Sequence, residues 1–482
     1  MLHRSVLGPG SLLLTMLALS GCATGNRDSV YASSDDGEHL LASYEELRGD
    51  ALSNAELPDD EKADLVYPAK FDLVRYQSPI ANQGRRGVCA MFAATALMDG
   101  AYRSSSLLET ADFSEQYLVW LVKDHYQRSR VTSSASSGQD SLGAIHEYGI
   151  PLDSLWPYEL DGWNATNDAA CVGNDADGQP VQCYTNGTAP LAARRATEYG
   201  LPAPRQINSQ AQNLKAHMST SNTGVFVSAQ YFFQSWNDRS SNCTINDSYA
   251  SRGYVLPPTT EDYNYSLNRG GGHAVLIVGW DDTLEVPRVD CRGEIVRNAD
   301  GDAQMERGFF VFKNSWGTSW APANPYGAGY GLMSYNYVAS YATTWVVDAP
   351  TAENSVVPSR TGTTTDSANT VRLIAEVDPS GATLSIPVAR GGEVTSATVG
   401  LSIDHASPSD LRITLLSPSS REFPLSGAEA DTNGYHTSVD LSSVAGQEAR
   451  GPWRLKIVDV NRNGVEGQIT GWSITLNRTD GL

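Results

Sequence analysis

Four side chains of this 482-residue chain are of the types, and in the order, that acyl transfer to sulfur needs. Cys89 lies in the run Asn82-Gln83-Gly84-Arg85-Arg86-Gly87-Val88-Cys89-Ala90-Met91-Phe92, where an apolar helix is expected to start. Unpaired N–H groups and the positive end of a helix favour thiolate over thiol there. A sulfur nucleophile also needs a base, a group that orients the base, and donors for an oxyanion. Gln83, six residues upstream, has a neutral amide suited to donate to that oxyanion. His273, in Gly270-Gly271-Gly272-His273-Ala274-Val275-Leu276, is the candidate base. Asn314, in Lys313-Asn314-Ser315-Trp316-Gly317, can accept from one ring N–H and leave the other nitrogen for the thiol. Trp316 can shield that bond from water.

The elements that must position these groups are legible. Gly87–Arg103 is apolar nearly all round and predicts a buried helix carrying Cys89. Phe113–Gln127 predicts an amphipathic helix with Ser114 as N-cap, and Ser141–Gly149 a shorter helix ending at a glycine. Strands are expected over Gly224–Phe233, His273–Trp280, Gly308–Lys313, Tyr330–Tyr335 and Thr343–Val347. Helices first and strands later point to an α+β domain.

With Gln83, Cys89, His273-Ala274-Val275 and Asn314-Ser315-Trp316-Gly317 in this order, the chain resembles papain-family cysteine peptidases over about residues 67–348. Ser114-Glu115-Gln116 and Tyr148-Gly149-Ile150 with Trp156-Pro157-Tyr158 resemble further family segments. The resemblance implies a two-lobe α+β fold, helical and β-rich, with Cys89 and His273 facing across a cleft. It implies Cys89 as nucleophile, His273 as base and then acid, Asn314 as orienter supported by Trp316, and Gln83 with the Cys89 N–H as oxyanion hole. No cofactor or metal is implied.

There are departures. Arg86 and Ala90 stand where the family has Cys and Trp, which removes a typical disulfide and puts a charge near the cleft. His273 follows Cys89 by 184 residues and Asn314 by 225, against roughly 130–150 in the family. The extra length falls in 160–268 and 283–307, as loops around the cleft. Cys171, Cys183, Cys243 and Cys291 allow three pairings. Cys171–Cys183 closes a short loop and Cys243–Cys291 joins the two insertions; the alternative leaves Cys243 and Cys291 free.

The C-terminal third carries short alternating runs such as Leu411–Leu416, Trp453–Val460 and Trp472–Leu476. Ile403-Asp404-His405, Ser409-Asp410-Leu411, Gly451-Pro452-Trp453 and Gly467-Gln468-Ile469-Thr470-Gly471-Trp472 resemble the P domain of proprotein-convertase type. The resemblance implies an all-β jelly-roll sandwich over 371–482, for support or binding. Asp459-Val460-Asn461-Arg462-Asn463-Gly464 starts like a calcium loop, but its twelfth position is Thr470, so it reads as a polar turn. Residues 349–370, rich in Ser and Thr, read as a linker.

Residues 1–22 read as a secretory signal. The apolar run Ser11–Leu19 is too short to span a bilayer. Leu19-Ser20-Gly21-Cys22 resembles a bacterial lipobox, which implies lipidation at Cys22 and, with Ala23 next, outer-membrane sorting if the host is Gram-negative. Residues 23–66 hold twelve acidic and three basic side chains and read as a solvated tether or a short prosegment. Overall, 55 acidic against 34 basic residues exclude a nucleic-acid partner. The combined expectation is an exported, lipid-anchored cysteine endopeptidase acting on peptides or proteins through a thioacyl-enzyme intermediate. Alternatives are a transpeptidase or acyltransferase of the same fold, or a non-catalytic adhesion protein using the P domain.

Overall fold

The computed structural model describes residues 31–34, 37–54, 57, 66–127, 136–172, 180–269, 271–355, 361–369, 371–376, 378, 380–388 and 391–479. The signal and Cys22 lie outside these, as do residues 58–65 of the acidic segment. Among the described residues no helix is long and apolar enough to cross a membrane.

The peptidase-like unit divides into helices and one nine-stranded sheet. The helix Cys89–Ser104 has 13 of its residues buried and packs on the long strand Gly271–Pro287. Ser114 caps the next helix, Glu115–Trp120, by accepting from the Tyr117 N–H. The predicted single helix then widens into a π-helical stretch, Leu121–Tyr126. Gly138–Tyr148 starts at a Ser137 cap and ends at Gly149, whose φ is +74°.

The sheet runs in the order Arg205–Ile207, Ala342–Val346, Val225–Gln230, Gly271–Pro287, Met305–Lys313, Tyr330–Ser334, Tyr254–Val255. Strand Gly271–Pro287 is buried on both faces over its first eleven residues. One apolar cluster packs the helices onto the sheet and a second fills its other face. Such two-sided burial explains the near-continuous apolar run from Ala274 to Trp280. The predicted strand Tyr330–Tyr335 stops at Ser334, which caps the helix Tyr335–Tyr341 through the Tyr337 N–H.

Part of the acidic N-terminal segment is docked rather than solvated. Ala42 and Ser43 pair with Gly272 and Gly271. The short helix Tyr44–Arg48 follows, with Leu47 fully buried. Ser228 Oγ donates to the Leu47 carbonyl, Gln206 holds Leu52 through both amide atoms, and Asn54 binds Ala339 and Ser209. Leu41, Ala42, Leu47 and Ala51 supply apolar area that the charge of the segment hides.

The C-terminal unit is a sandwich of two antiparallel sheets. One orders Thr361–Ala368, Gly467–Thr479, Glu393–Asp404, Gly434–Leu441, with Arg372–Ile374 added to Gly467–Thr479. The other orders Ala382–Val388, Gly451–Asp459, Leu411–Leu416, Glu422–Pro424. The expected linker 349–370 is therefore shorter, because 361–368 pair with 472–479 as a strand. The sandwich meets the helical lobe through ion pairs of Arg194 with Glu448, Arg195 with Glu393 and Arg450 with Asp124.

Both favoured disulfides, Cys171–Cys183 and Cys243–Cys291, are formed. Cys89 is a free, buried thiol. The calcium-like loop folds inward: the amides of Asn461 and Asn463 donate to the two oxygens of Asp410.

Candidate active site

Cys89 is the first residue of its helix, after Val88 as N-cap. Its backbone N–H is thus one of the orphan donors of a helix start. The backbone N–H groups of Ala274, Ala90 and Cys89 itself bear on the sulfur and lower its pKa. The first of these belongs to the residue that follows His273, which brings the histidine near the thiol. Burial dominates the electrostatics: the thiol is pushed up to about 11, and the three N–H groups offset only part of this. Complete burial thus opposes the thiolate that a helix start favours.

His273 lies on Gly271–Pro287 and is 1% exposed. Its Nε2 is 2.7 Å from Asn314 Oδ1. The Ser315 N–H also donates to that Oδ1, at 2.8 Å, so the amide oxygen is fixed toward the ring. Nε2 must then carry the proton, and in a neutral ring Nδ1 is the basic nitrogen. Trp316 stacks on the imidazole, 4.4 Å between centroids at 23°, and Trp236 meets it edge-on at 5.3 Å. The His–Asn bond is thereby screened from water.

Gln83 is fully buried. Its Oε1 accepts from Ser315 Oγ at 2.7 Å and its Nε2 donates to the Arg86 carbonyl at 2.9 Å. An amide nitrogen has two hydrogens, so one donor remains after this bond. The Gln83 N–H also donates to the Ser315 carbonyl, and the Gly317 N–H to Ala81. The loop bearing Gln83 is thus laced to the loop bearing Asn314. Gly84 permits this path: φ is +58°, and a Cβ there would lie 2.7 Å from the Leu160 carbonyl oxygen.

Sequence reasoning placed Cys89, His273, Asn314, Gln83 and Trp316 in one site, and the structure brings them together. Arg86 is 5% exposed, so the charge expected near the cleft is a buried one. Its guanidinium donates to Gln116 Oε1 and to the carbonyls of Glu159 and Tyr184, and it packs on the Tyr158 ring. Arg86 does the cross-linking of a disulfide with hydrogen bonds.

A buried polar cluster beneath the site was not anticipated. Asp99, ten residues along the Cys89 helix, accepts from Ser78 Oγ at 2.5 Å and from the Phe113 N–H at 3.0 Å. Lys313, beside Asn314, donates to the Ser78 carbonyl at 2.9 Å and its Oγ at 2.8 Å. Burial raises the Asp99 carboxyl to about 7, against the opposing charge of Lys313, and lowers the lysine. The cluster ties the helix of Cys89 to the strand leading to Asn314. The available signal was a carboxylate on an otherwise apolar helix, which requires a partner.

The site is covered. Cys89, His273, Asn314 and Gln83 are each at most 3% exposed. Strand Ala42–Ser43 pairs just before His273, and a Cβ on Gly272 would lie 2.8 Å from Tyr44 Cα. The third glycine of the expected close approach therefore admits the chain's own N-terminal segment. Tyr184, whose hydroxyl donates to the Gly87 carbonyl, is raised mainly by burial, and both Cys89 and Glu46 act on it.

A thiol, an oriented imidazole and a spare amide donor at one place can carry out acyl transfer through sulfur. Comparison with known proteins bears on both units. Residues 394–476 match the proprotein convertase P-domain profile, and the C-terminal sandwich is a P domain. The chain is similar to xylellain, a cysteine protease from Xylella fastidiosa. Identity is 19%, coverage 64% of this chain and 98% of that one, and the TM-score 0.42. It is also similar to the cysteine protease and lectin-like domains of Cwp84, a surface-layer-associated protein of Clostridium difficile. Here identity is 13%, coverage 88% and 91%, and the TM-score 0.38. Digestive procathepsin L2 of Tenebrio molitor is similar at 19% identity, covering 64% and 78%, with a TM-score of 0.37. No curated protein sequence matches.

Proposed function

We propose that this chain is an exported, lipid-anchored cysteine endopeptidase, held latent by residues 41–54. The observation that carries the reading is the Nε2–Asn314 bond at 2.7 Å, made by a histidine whose neighbour Ala274 bears through its N–H on the Cys89 thiol. Once the cover is displaced, His273 Nδ1 takes the thiol proton as sulfur attacks the peptide carbonyl. The oxyanion forms against the spare Gln83 N–H and the Cys89 N–H. His273 returns the proton to the leaving amine, the C–N bond breaks, and a thioester remains. Water, deprotonated by the same nitrogen, then hydrolyses the thioester and frees the sulfur.

The docked N-terminal segment supports latency, and the P domain, tied to the helical lobe by ion pairs, supports a stabilising or substrate-presenting role. Export agrees with two disulfides. Anchoring rests on Cys22. A cysteine-directed epoxide should inactivate the activated protein and label Cys89; cleavage that survives Cys89→Ala rejects the assignment. Following mass against activity during incubation tests the prosegment: activity should rise as mass is lost from the N-terminus. Fatty-acid labelling should disappear in Cys22→Ala, and equal labelling of both proteins rejects the anchor.

A further inference from the structure

A turn at residues 84–87 joins Gln83 to the start of the Cys89 helix. Arg86 stands in this turn, and its carbonyl oxygen accepts twice, from Gln83 Nε2 at 2.9 Å and from the Val88 N–H at 2.9 Å. Val88 is the N-cap of the Cys89 helix. One carbonyl therefore holds both parts of the proposed oxyanion site: the Gln83 amide and the backbone that presents the Cys89 N–H.

A carbonyl oxygen can only accept. It fixes which end of the Gln83 amide faces it, because the reversed amide would set two oxygens together. The second hydrogen on Nε2 is then left for the oxyanion. Such a carbonyl keeps its direction only if the turn is held, and the glycines at 84 and 87 offer no side chain to hold it. The Arg86 side chain does. Its guanidinium donates to Gln116 Oε1 at 2.8 Å and to the carbonyls of Glu159 at 2.9 Å and Tyr184 at 3.1 Å. Gln116 is itself fixed, since its Nε2 donates to the Thr185 carbonyl at 2.7 Å.

A second route reaches the main chain of Gln83. The guanidinium lies over the Tyr158 ring, 4.8 Å from its centroid, and the Tyr158 hydroxyl donates to the Gln83 carbonyl at 2.8 Å. Phe92, on the Cys89 helix, meets the same ring edge-on at 4.7 Å. None of the three acceptors of the guanidinium is a carboxylate. A buried charge held by neutral groups adds little to stability, since desolvation offsets its hydrogen bonds. Its planar fork does fix direction at several points. We infer that Arg86 is the positioning residue of the oxyanion site, acting through Gln83 with Tyr158 behind it; this rests on the peptidase reading.

The test compares two reagents on activated full-length protein. A peptide aldehyde adds the sulfur to its carbonyl carbon while its oxygen takes up the thiol proton, so that oxygen lies at the oxyanion donors. Iodoacetamide alkylates the sulfur with loss of iodide and forms no oxyanion. Arg86→Met should lower kcat and aldehyde affinity by about tenfold or more, with KM and the alkylation rate changed by less than about threefold. Arg86→Lys keeps the charge without the fork and should not restore either loss. In a Gln83→Ala background, Arg86→Met should cost little more, because the donor it positions is gone. If neither Arg86 variant folds, Tyr158→Phe, which removes one hydroxyl, should show the same split between the two reagents. Aldehyde affinity unmoved, alkylation falling in parallel with it, or losses that simply add in the double variant overturn the positioning role and leave the peptidase reading standing. Absence of cleavage by the activated wild type removes that reading and the positioning role with it.

Discussion

The central sheet of the N-terminal unit and the C-terminal sandwich solve opposite problems with the same element. In the sandwich, Gly451–Asp459 alternates strictly, with Trp453, Leu455 and Ile457 inward and Arg454, Lys456 and Val458 outward. Its core is one apolar cluster, with a few buried polar groups such as the His405–Asp459 pair and Asp410. In the N-terminal unit, Gly271–Pro287 is buried on both faces, and its surroundings hold more buried polar groups, among them Gln83, Asp99, His273, Lys313 and Asn314. Apolar packing does most of the work where only shape must be kept. Where one thiol must meet one imidazole, directional bonds do the positioning and burial is their cost.

Substitutions can break this contrast or sharpen it. The largest expected effect is Cys89→Ala, a fall in kcat/KM on the order of 10⁴-fold, with the sandwich unfolding as before. Trp453→Ala should cost the sandwich about 3–5 kcal/mol, read by denaturant unfolding, with epoxide labelling of Cys89 in activated protein retained. If labelling falls in step with sandwich stability, the two units are not separable. Gln83→Ala should lower kcat by about 10²–10³, and Gln83→Glu should not restore it, since a carboxylate cannot donate.

A pH measurement follows in size. Burial makes Cys89 hold its proton more tightly, so thiolate accumulates only as pH rises toward about 11. In the intact chain, iodoacetamide alkylation should climb with pH up to that region, and at neutral pH the thiolate fraction is about a hundredfold below that of an ordinary thiol. Removing residues up to 54 rehydrates the thiol and should move the midpoint down; an unchanged midpoint would mean the segment does not cover the site. The smallest effect is Arg194→Ala at the junction of the units, about 1 kcal/mol or less, growing weaker still in high salt.

These differences also explain what the sequence disclosed. Cys89, His273, Asn314 and Gln83 were legible because the covalent chemistry proposed for them calls for particular residue types in a particular order. The sandwich was legible because one wet face imposes a period of two. Asp99 and Lys313, 214 positions apart, were not, since nothing local tells a buried carboxylate which amine it will meet. Strand 361–368 reads as linker in the sequence because an edge strand needs only backbone pairing, and the side chains of Thr363–Ser367 stay accessible; the β-branched run Thr363–Thr365 is the missed cue. The N-terminal segment misled through its charge, which masks the few apolar residues that dock it.

Arg86 gives the neighbourhood of the nucleophile a tolerance to redox conditions. Exported proteins meet oxidants, and a thiol-dependent enzyme must also survive the reductants that keep its sulfur free. A cystine beside the nucleophile would be cut by those same reductants, and a lone second thiol there could capture Cys89. A guanidinium holding Gln116, Glu159 and Tyr184 together does neither. Its grip is indifferent to redox poise, so conditions that keep the sulfur reduced do not loosen this cross-link.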